Sequence, residues 1–153
     1  MSSGGGHDQA HRQPPRPPPG PAYGFAMDLP VMPPVQPMLA KSAGGIPDPA
    51  KFDGGLSFEP KWDGFRCLVF KDGDEVELAS RNTKSLARYF PEVVAALRDC
   101  LPDKVVLDGE IFVAVGDRLE FEVLQQRIHP AASRIKLLSE QTPAQYVAFD
   151  LLA

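Results

Sequence analysis

The sequence has few cysteines and no long apolar runs, and these two absences exclude several classes of protein. Two cysteines among 153 residues are too few for a disulfide framework or a tetrahedral thiolate metal site. No stretch approaches the ~18 consecutive apolar residues of a membrane span. A basic segment followed by an apolar one, typical of secretory signals, does not open the chain. We therefore expect a cytoplasmic protein without a membrane partner.

Proline divides the chain into parts of different composition. Twelve of the 17 prolines precede residue 51. Residues 1–26 are rich in Gly, Pro and Ser and are predicted to be a disordered tail, because they carry little apolar surface to bury. Residues 27–55 regain apolar side chains between their prolines, which predicts an extended arm and loop. Residues 56–153 have the composition of a folded domain.

Strand and helix signals are mixed after residue 56 and predict an α+β fold of antiparallel sheets with flanking helices. Asp72-Gly73-Asp74 separates two apolar segments and predicts a hairpin of strands 66–71 and 75–80. Three further strands are expected in apolar, largely β-branched segments: 56–59, 105–115 and 146–152. Three helices are expected where helix-forming patterns occur: 91–99, 120–128 and 131–140.

The residues with the most chemical information lie between Glu59 and Arg66, in the string EPKWDGFR. Lys61 lies in a short turn between predicted strands and can be presented to a pocket with little freedom, as a nucleophile requires. A lysine amine is protonated at neutral pH unless desolvation or a neighbouring cation favours the free amine. Taken alone, the string is also compatible with a solvated turn in which Lys61 pairs with Glu59 or Asp63.

Four strings in a fixed order resemble the motifs of the covalent nucleotidyltransferases, the superfamily of ATP-dependent DNA ligases, RNA ligases and mRNA-capping enzymes. The first is KxDGxR at Lys61 to Arg66, and the others are Ser80-Arg81-Asn82, Leu107 to Ile111 and Val147 to Asp150. The flanking text, as in FEPKWDGFRCLVF, is similar to small bacterial ATP-dependent DNA ligases and to the ligase module of the bacterial end-joining enzyme. The resemblance covers about residues 27–153 and implies a partial, ATP-grasp-like adenylation domain.

The resemblance implies catalytic roles for two residues and ATP-binding roles for five others. Lys61 would attack the α-phosphate of ATP, release pyrophosphate and leave lysyl-AMP, while Asp63 would orient the loop or the water shell of a metal ion. The implied ATP-binding residues are Glu59, Arg66, Arg81, Glu110 and Phe149.

Each implied ATP contact has a physical reason and, in some cases, a plainer alternative. Phe149 would stack on adenine, or fill the core as an ordinary strand residue. Glu59 would lie near the adenine edge, and Arg81 would contact phosphate. Arg66 would reach the ribose or phosphates, or remain a solvated strand charge. Glu110 is costly to bury unpaired, and a ribose hydroxyl, a cation or a basic side chain would explain it.

Magnesium is the implied metal, because a divalent ion neutralises charge on the leaving pyrophosphate. We expect Glu110 to contact it, mostly through water. The implied partners are nicked double-stranded DNA and bacterial end-joining proteins, with a monomeric protein in the bacterial cytoplasm near the nucleoid. Arg127, Arg134 and Lys136 would touch a DNA backbone or form solvated helix faces. His129 is expected to cap a helix or lie at the surface.

The sequence also departs from the family's pattern. It stops after the fourth motif, whereas the family continues with an acidic motif, a lysine motif and an oligonucleotide-binding β-barrel. We therefore expect a truncated adenylation domain with a weakly activated Lys61 that does not seal nicks alone, and we expect residues 1–26 to be an upstream extension. The alternatives are an RNA ligase or capping-type nucleotidyltransferase, and an inactive ligase-derived fragment that binds nucleotide or DNA.

Overall fold

The predicted hairpin at Asp72-Gly73-Asp74 is present at the centre of the fold. The computed structural model describes residues 27–41, 43–128 and 131–153. Strand β1 (Phe65–Asp72) pairs antiparallel with β2 (Glu75–Ser80). Gly73 has a φ of +58°, a conformation that side chains with a Cβ rarely adopt. The hairpin prediction is therefore confirmed.

Two later strands extend the hairpin into a four-stranded sheet. Strand β3 (Lys104–Phe112) pairs with β1, and β6 (Gln145–Leu151) pairs with β3, all antiparallel. The strand order is β2-β1-β3-β6. A small second sheet consists of β4 (Ala114–Val115) and β5 (Arg118–Leu119). The predicted α+β class is confirmed.

Three α-helices pack beside the sheet: α1 (Pro91–Cys100), α2 (Phe121–Gln125) and α3 (Ala132–Gln141). Two short 3₁₀ helices lie at Pro49–Lys51 and Ala87–Tyr89. Helix α2 is shorter than predicted, because the amides of residues 126–128 bond to carbonyls three residues back and close tight turns. The interpretation of His129 and of the break at Pro130 lies outside the described residues.

Two strand predictions are wrong in part or in whole. Residues 56–59 form no strand, since they pair with no neighbouring strand and all but Leu56 are exposed. The run 105–115 is not one continuous strand, because β3 ends at Phe112 and the chain turns into the β4–β5 hairpin. The tight turn at Gly116, with φ +64°, supports that hairpin.

Both faces of the central sheet are buried along β1, β2 and β3, which explains the continuous apolar runs of these strands, whereas β6 is exposed or half-buried along its length. One face packs against the helices through residues that include Val69, Leu78 and Leu97. The other face carries Leu68, Phe70, Ala79 and Val106, and Met27 and Leu29 from the amino-terminal arm cover it. The boundaries of the three predicted segments stay predictions. Over the described part of the chain, no helix has the length and apolar character that crossing a membrane requires.

Candidate active site

The loop that carries Lys61 is fastened to strand β3 at Gly64. A Cβ at Gly64 would collide with the carbonyl oxygen of Ile111, so the two backbones approach as closely as glycine permits. The Glu110 side chain lies against the same glycine, with its Cγ 3.0 Å from the position that this Cβ would take. Lys61 and Asp63 remain exposed. The loop therefore presents the proposed nucleophile to solvent at the start of β1.

Glu110 lies opposite Arg66 in the register of β3 and β1. Its side chain is half-buried, and desolvation raises the pKa of this carboxyl. Arg66, the Gly64 amide and Lys61 oppose that pKa shift, because each favours the charged carboxylate. Glu110 is therefore a half-buried acid whose charged form is favoured by Arg66 and Lys61.

Arg66 is held by Asp108 in a two-pronged ion pair. Its Nε and Nη2 donate to the two carboxylate oxygens of Asp108 at 2.6 and 2.7 Å. The Asp108 side chain is only 6% exposed. Such forked pairing fixes both position and orientation of the guanidinium. Arg66 is therefore an ordered, partnered cation and not a solvated strand charge.

The ring of Phe149 lies under the Arg66 guanidinium, whose Cζ is 4.5 Å from the ring centroid. Phe149 is half-buried on β6, where the pairing with β3 is irregular between Asp108 and Gly109. A cation over an aromatic face is an attractive contact. This contact joins Phe149 to an arginine that lines the pocket described below.

Ser80 organises the turn that carries Arg81 and Asn82. The Thr83 amide donates to the Ser80 carbonyl oxygen at 2.8 Å, and the Lys84 amide donates to the Ser80 hydroxyl at 3.0 Å. Arg81 and Asn82 are exposed at the tip of this turn. The second motif is thus a short, hydrogen-bonded turn at the end of β2 that holds Arg81 and Asn82 at the surface.

An open pocket of about 460 Å³ joins three of the four motifs. Its polar lining comes from the start of β1, from the last residue of β2 with the turn that follows it, and from the third-last residue of β3. These polar residues are Arg66, Ser80, Arg81, Asn82 and Glu110, and the apolar wall includes Phe65, Leu86, Phe121 and Ile128. The structure therefore brings Arg66, Arg81 and Glu110 together on one pocket.

Four other predicted site residues do not line this pocket. Glu59, Lys61 and Asp63 are exposed on the preceding loop, and Phe149 reaches the pocket only through its contact with Arg66. Within the described ranges, no group of three or more His, Cys, Asp or Glu side chains lies in a metal-binding arrangement.

Sequence reasoning missed three residues that shape the site: Asp108, Gly109 and Tyr146. The Tyr146 hydroxyl donates to the Cys67 carbonyl oxygen at 3.2 Å, and burial raises the pKa of this phenol. A Cβ at Gly109 would collide with the Tyr146 ring and the Val147 carbonyl oxygen. Asp108 and Gly109 lie within the third motif, so the sequence did contain a signal that they belong to the site. The position of Tyr146 over Gly109 had no such signal, because it depends on the pairing register of β6 with β3.

Arg127 is wrongly predicted as a DNA-facing or solvated charge. Its side chain is fully buried, and Nη2 contacts the Glu92 carboxylate at 2.7 Å and donates to the Tyr89 carbonyl oxygen at 2.9 Å. Glu92 also accepts a hydrogen bond from the Ala144 amide, just before β6. The prediction failed because it did not include the ion pair with Glu92. A guanidinium that is paired with a carboxylate can be buried, whereas an unpaired one cannot.

Comparison with known proteins identifies the family of this chain. A family model described as "ATP dependent DNA ligase domain" matches residues 37–153, and the chain belongs to this family. The predicted resemblance to ATP-dependent DNA ligases is confirmed.

Similar curated proteins and solved structures carry ligase names. DNA ligase C of Mycobacterium tuberculosis is 60% identical over 125 residues, which are 82% of this chain and 33% of that protein. DNA ligase C1 of Mycolicibacterium smegmatis is 62% identical over 129 residues, covering 82% and 36%. The ligase domain of M. tuberculosis LigD aligns at 32% identity and a TM-score of 0.47, over 62% of this chain and 28% of that one. The chain thus spans about a third of the length of the curated relatives.

Proposed function

We propose that this chain performs the first step of ATP-dependent DNA ligation, the transfer of AMP from ATP to Lys61. The Lys61 Nζ would form a bond to the α-phosphorus, and the bond from that phosphorus to the oxygen bridging the β-phosphorus would break. The electron pair leaves with pyrophosphate, and the amine proton passes to solvent. The product is a lysyl-AMP phosphoramide.

The observation that carries this proposal is the convergence of three motifs on one pocket next to the Lys61 loop. Arg66 and Arg81 supply fixed positive charge, which suits the phosphates of a nucleotide. Gly64 joins the loop to the pocket wall through its close approach to Glu110 and Ile111 of β3. Asp63, on the same loop, would orient the loop or metal-bound water, and Glu59 would lie toward the adenine edge.

Phe149 would stack on the adenine in this proposal. Its aromatic ring is half-buried beside Arg66, and a guanidinium and a purine are both suitable partners for a ring face. Arg66 would then serve two purposes, since it lines the pocket and contacts the ring.

Magnesium fits the site as an ion with few protein ligands. Glu110 is the acidic side chain that lines the pocket, whereas both Asp108 oxygens already accept hydrogen bonds from Arg66. A single carboxylate with several waters is a common environment for Mg²⁺. When bound, the ion would neutralise charge on the phosphates.

Nicked double-stranded DNA is the proposed acceptor of the activated AMP, because the similar curated proteins are named DNA ligases. Those names favour DNA over the RNA ligase or capping alternative. Association with end-joining proteins, a monomeric state and location near the nucleoid stay predictions.

The test is covalent labelling. Purified chain is incubated with ATP labelled at the α-phosphate and Mg²⁺, then separated by denaturing electrophoresis. We expect label on the unaltered chain and none on Lys61→Arg or Lys61→Ala, because arginine keeps the charge but lacks the nucleophilic amine. ATP labelled at the γ-phosphate should leave no label on the protein.

Lys51→Ala is the matched control, since Lys51 is an exposed lysine on a short 3₁₀ helix outside the pocket. It should label like the unaltered chain. Equal labelling of the Lys61 variants, or no label on a chain shown by circular dichroism to be folded, contradicts the proposal. In the second case the inactive-fragment alternative takes its place.

A further inference from the structure

Trp62, next to the proposed nucleophile, is stacked on Phe112. The two ring centroids are 5.1 Å apart and the ring planes meet at 27°. Phe112 is 8% exposed and is the last residue of β3. Lys61 and Asp63, on either side of Trp62, are both exposed, whereas Trp62 is half-buried. The side chain of residue 62 therefore points toward the sheet while its neighbours face solvent.

A second attachment follows two residues later. Gly64 lies against the Ile111 carbonyl oxygen and the Glu110 side chain, too close for any residue with a Cβ. Positions 62 and 64 are thus both fastened to the last three residues of β3. Upstream, residues 52–60 form no strand or α-helix, and all but Leu56 are exposed. Trp62 is therefore the point at which the chain passes from this exposed segment to the sheet.

The stack lies apart from the two main clusters of the core. Among the described residues, the two clusters of buried apolar side chains on the faces of the sheet include neither Trp62 nor Phe112. Trp62 also does not line the pocket formed by Arg66, Arg81 and Glu110. The stack buries Phe112 outside these clusters and does not face the pocket. Because it adjoins the nucleophile, it is suited to fixing the backbone of that nucleophile.

From this geometry we infer that Trp62 is a positioning residue for Lys61 and acts by stacking on Phe112. The inference rests on the proposed function. When the stack is present, the residue next to Lys61 is attached to β3. Without the stack, the first attached residue is Gly64, three positions after Lys61. An attacking group that is free to move away from its target loses rate, and misplacement by about 1 Å costs on the order of 100-fold.

The inference predicts a separation between rate and affinity. Trp62→Ala should lower the rate constant of lysyl-AMP formation by about 10- to 100-fold. The ATP concentration for half-maximal rate should change little, because Arg66, Arg81 and Glu110 stay on their strands and turn. Trp62→Phe should restore most of the rate, since a phenyl ring can still stack on Phe112. Phe58→Ala is the matched control, an exposed aromatic residue three positions upstream of Lys61.

A second measurement needs no activity. Trp62 is the sole tryptophan of the chain, so intrinsic fluorescence reports on this loop alone. In Phe112→Leu, tryptophan emission should move to longer wavelength and acrylamide quenching should increase, while circular dichroism stays unchanged. Phe58→Ala should leave both fluorescence readings unchanged.

Two outcomes overturn the inference. One is unchanged emission and quenching in a folded Phe112→Leu protein, which would mean that the stack does not hold the loop. The other is a Trp62→Ala protein whose defect lies in ATP affinity and not in rate. If the unaltered chain forms no lysyl-AMP, the proposed function fails, and fluorescence alone decides whether Trp62 is fastened to Phe112.

Discussion

Arg66 is clamped between Asp108 and Phe149, with its guanidinium bonded in two places to the carboxylate and its Cζ 4.5 Å from the ring centroid. The three residues belong to β1, β3 and β6. This cluster therefore joins three motifs that are far apart in the sequence and orients one of the two arginines that line the pocket.

Asp108→Asn should release Arg66 from this arrangement. The amide cannot accept two hydrogen bonds in the same fork and carries no charge, so a half-buried guanidinium loses its partner. We expect unfolding free energy to fall by about 1–3 kcal/mol and lysyl-AMP formation to slow. Urea denaturation and the labelling assay measure the two effects.

Asp150→Asn is the control, because Asp150 lies opposite Asp108 in register but is exposed. It should change neither quantity appreciably. Equal effects of the two substitutions would mean that the ion pair with Arg66 is unimportant.

Arg127→Met should be strongly destabilising. It leaves Glu92 partly buried without its cation, and removing one partner of a buried ion pair costs about 3–5 kcal/mol. The exposed Arg134 offers a matched change on α3, and Arg134→Met should stay within about 0.5 kcal/mol. Comparable urea midpoints for the two variants would refute the structural role of Arg127.

Gly109→Ala should disturb the pairing of β6 with β3. The added methyl group would collide with the Tyr146 ring and with backbone, and backbone gives way only at a cost. We expect a loss of at least about 2 kcal/mol, as for overpacking in a well-packed core. Gly45→Ala, where a Cβ meets open space, should be neutral. Hydrogen exchange of the β6 amides would show whether the damage is local.

Glu77 predicts a pH dependence of stability. Its side chain is buried on β2 with one carboxyl oxygen lacking a partner, and burial raises the pKa of this carboxyl. The folded state therefore binds the proton more tightly, so the contribution of Glu77 to stability falls as pH rises from the ordinary glutamate pKa to the raised one.

Glu77→Gln removes this ionisation and should raise the melting temperature by a few degrees at neutral pH. The gain should disappear below the ordinary glutamate pKa. There the Glu77 carboxyl is protonated and carries no charge, like the glutamine side chain of the variant. Glu75→Gln, on the same strand but exposed, should show no such gain. A gain for Glu77→Gln that is independent of pH would contradict the electrostatic explanation.

The sequence predicted those parts of the fold that local chemistry decides. The hairpin follows from Asp72-Gly73, and α1 follows from Pro91 and the spacing of Val93 and Leu97. The false strand at 56–59 had suitable local composition, but a strand requires a partner, and partners depend on tertiary contacts.

The candidate site divides in the same way. The sequence motifs predicted Arg66, Arg81 and Glu110 as site residues, and the structure places all three in the lining of one pocket. The burial of Arg127 by Glu92, 35 positions earlier, has no local signal in the chain. The same is true of the stack of Trp62 on Phe112, which depends on how the loop meets the end of β3.

The central claim is that Lys61 becomes covalently attached to AMP, and peptide mapping by mass spectrometry tests it most directly. The chain is incubated with ATP and Mg²⁺, digested at neutral pH to preserve the phosphoramide bond, and searched for peptides heavier by one adenylyl group. The account predicts a single modified site, at Lys61. Modification of other lysines with Lys61 unmodified, or no modified peptide from a folded and ATP-saturated chain, would contradict it.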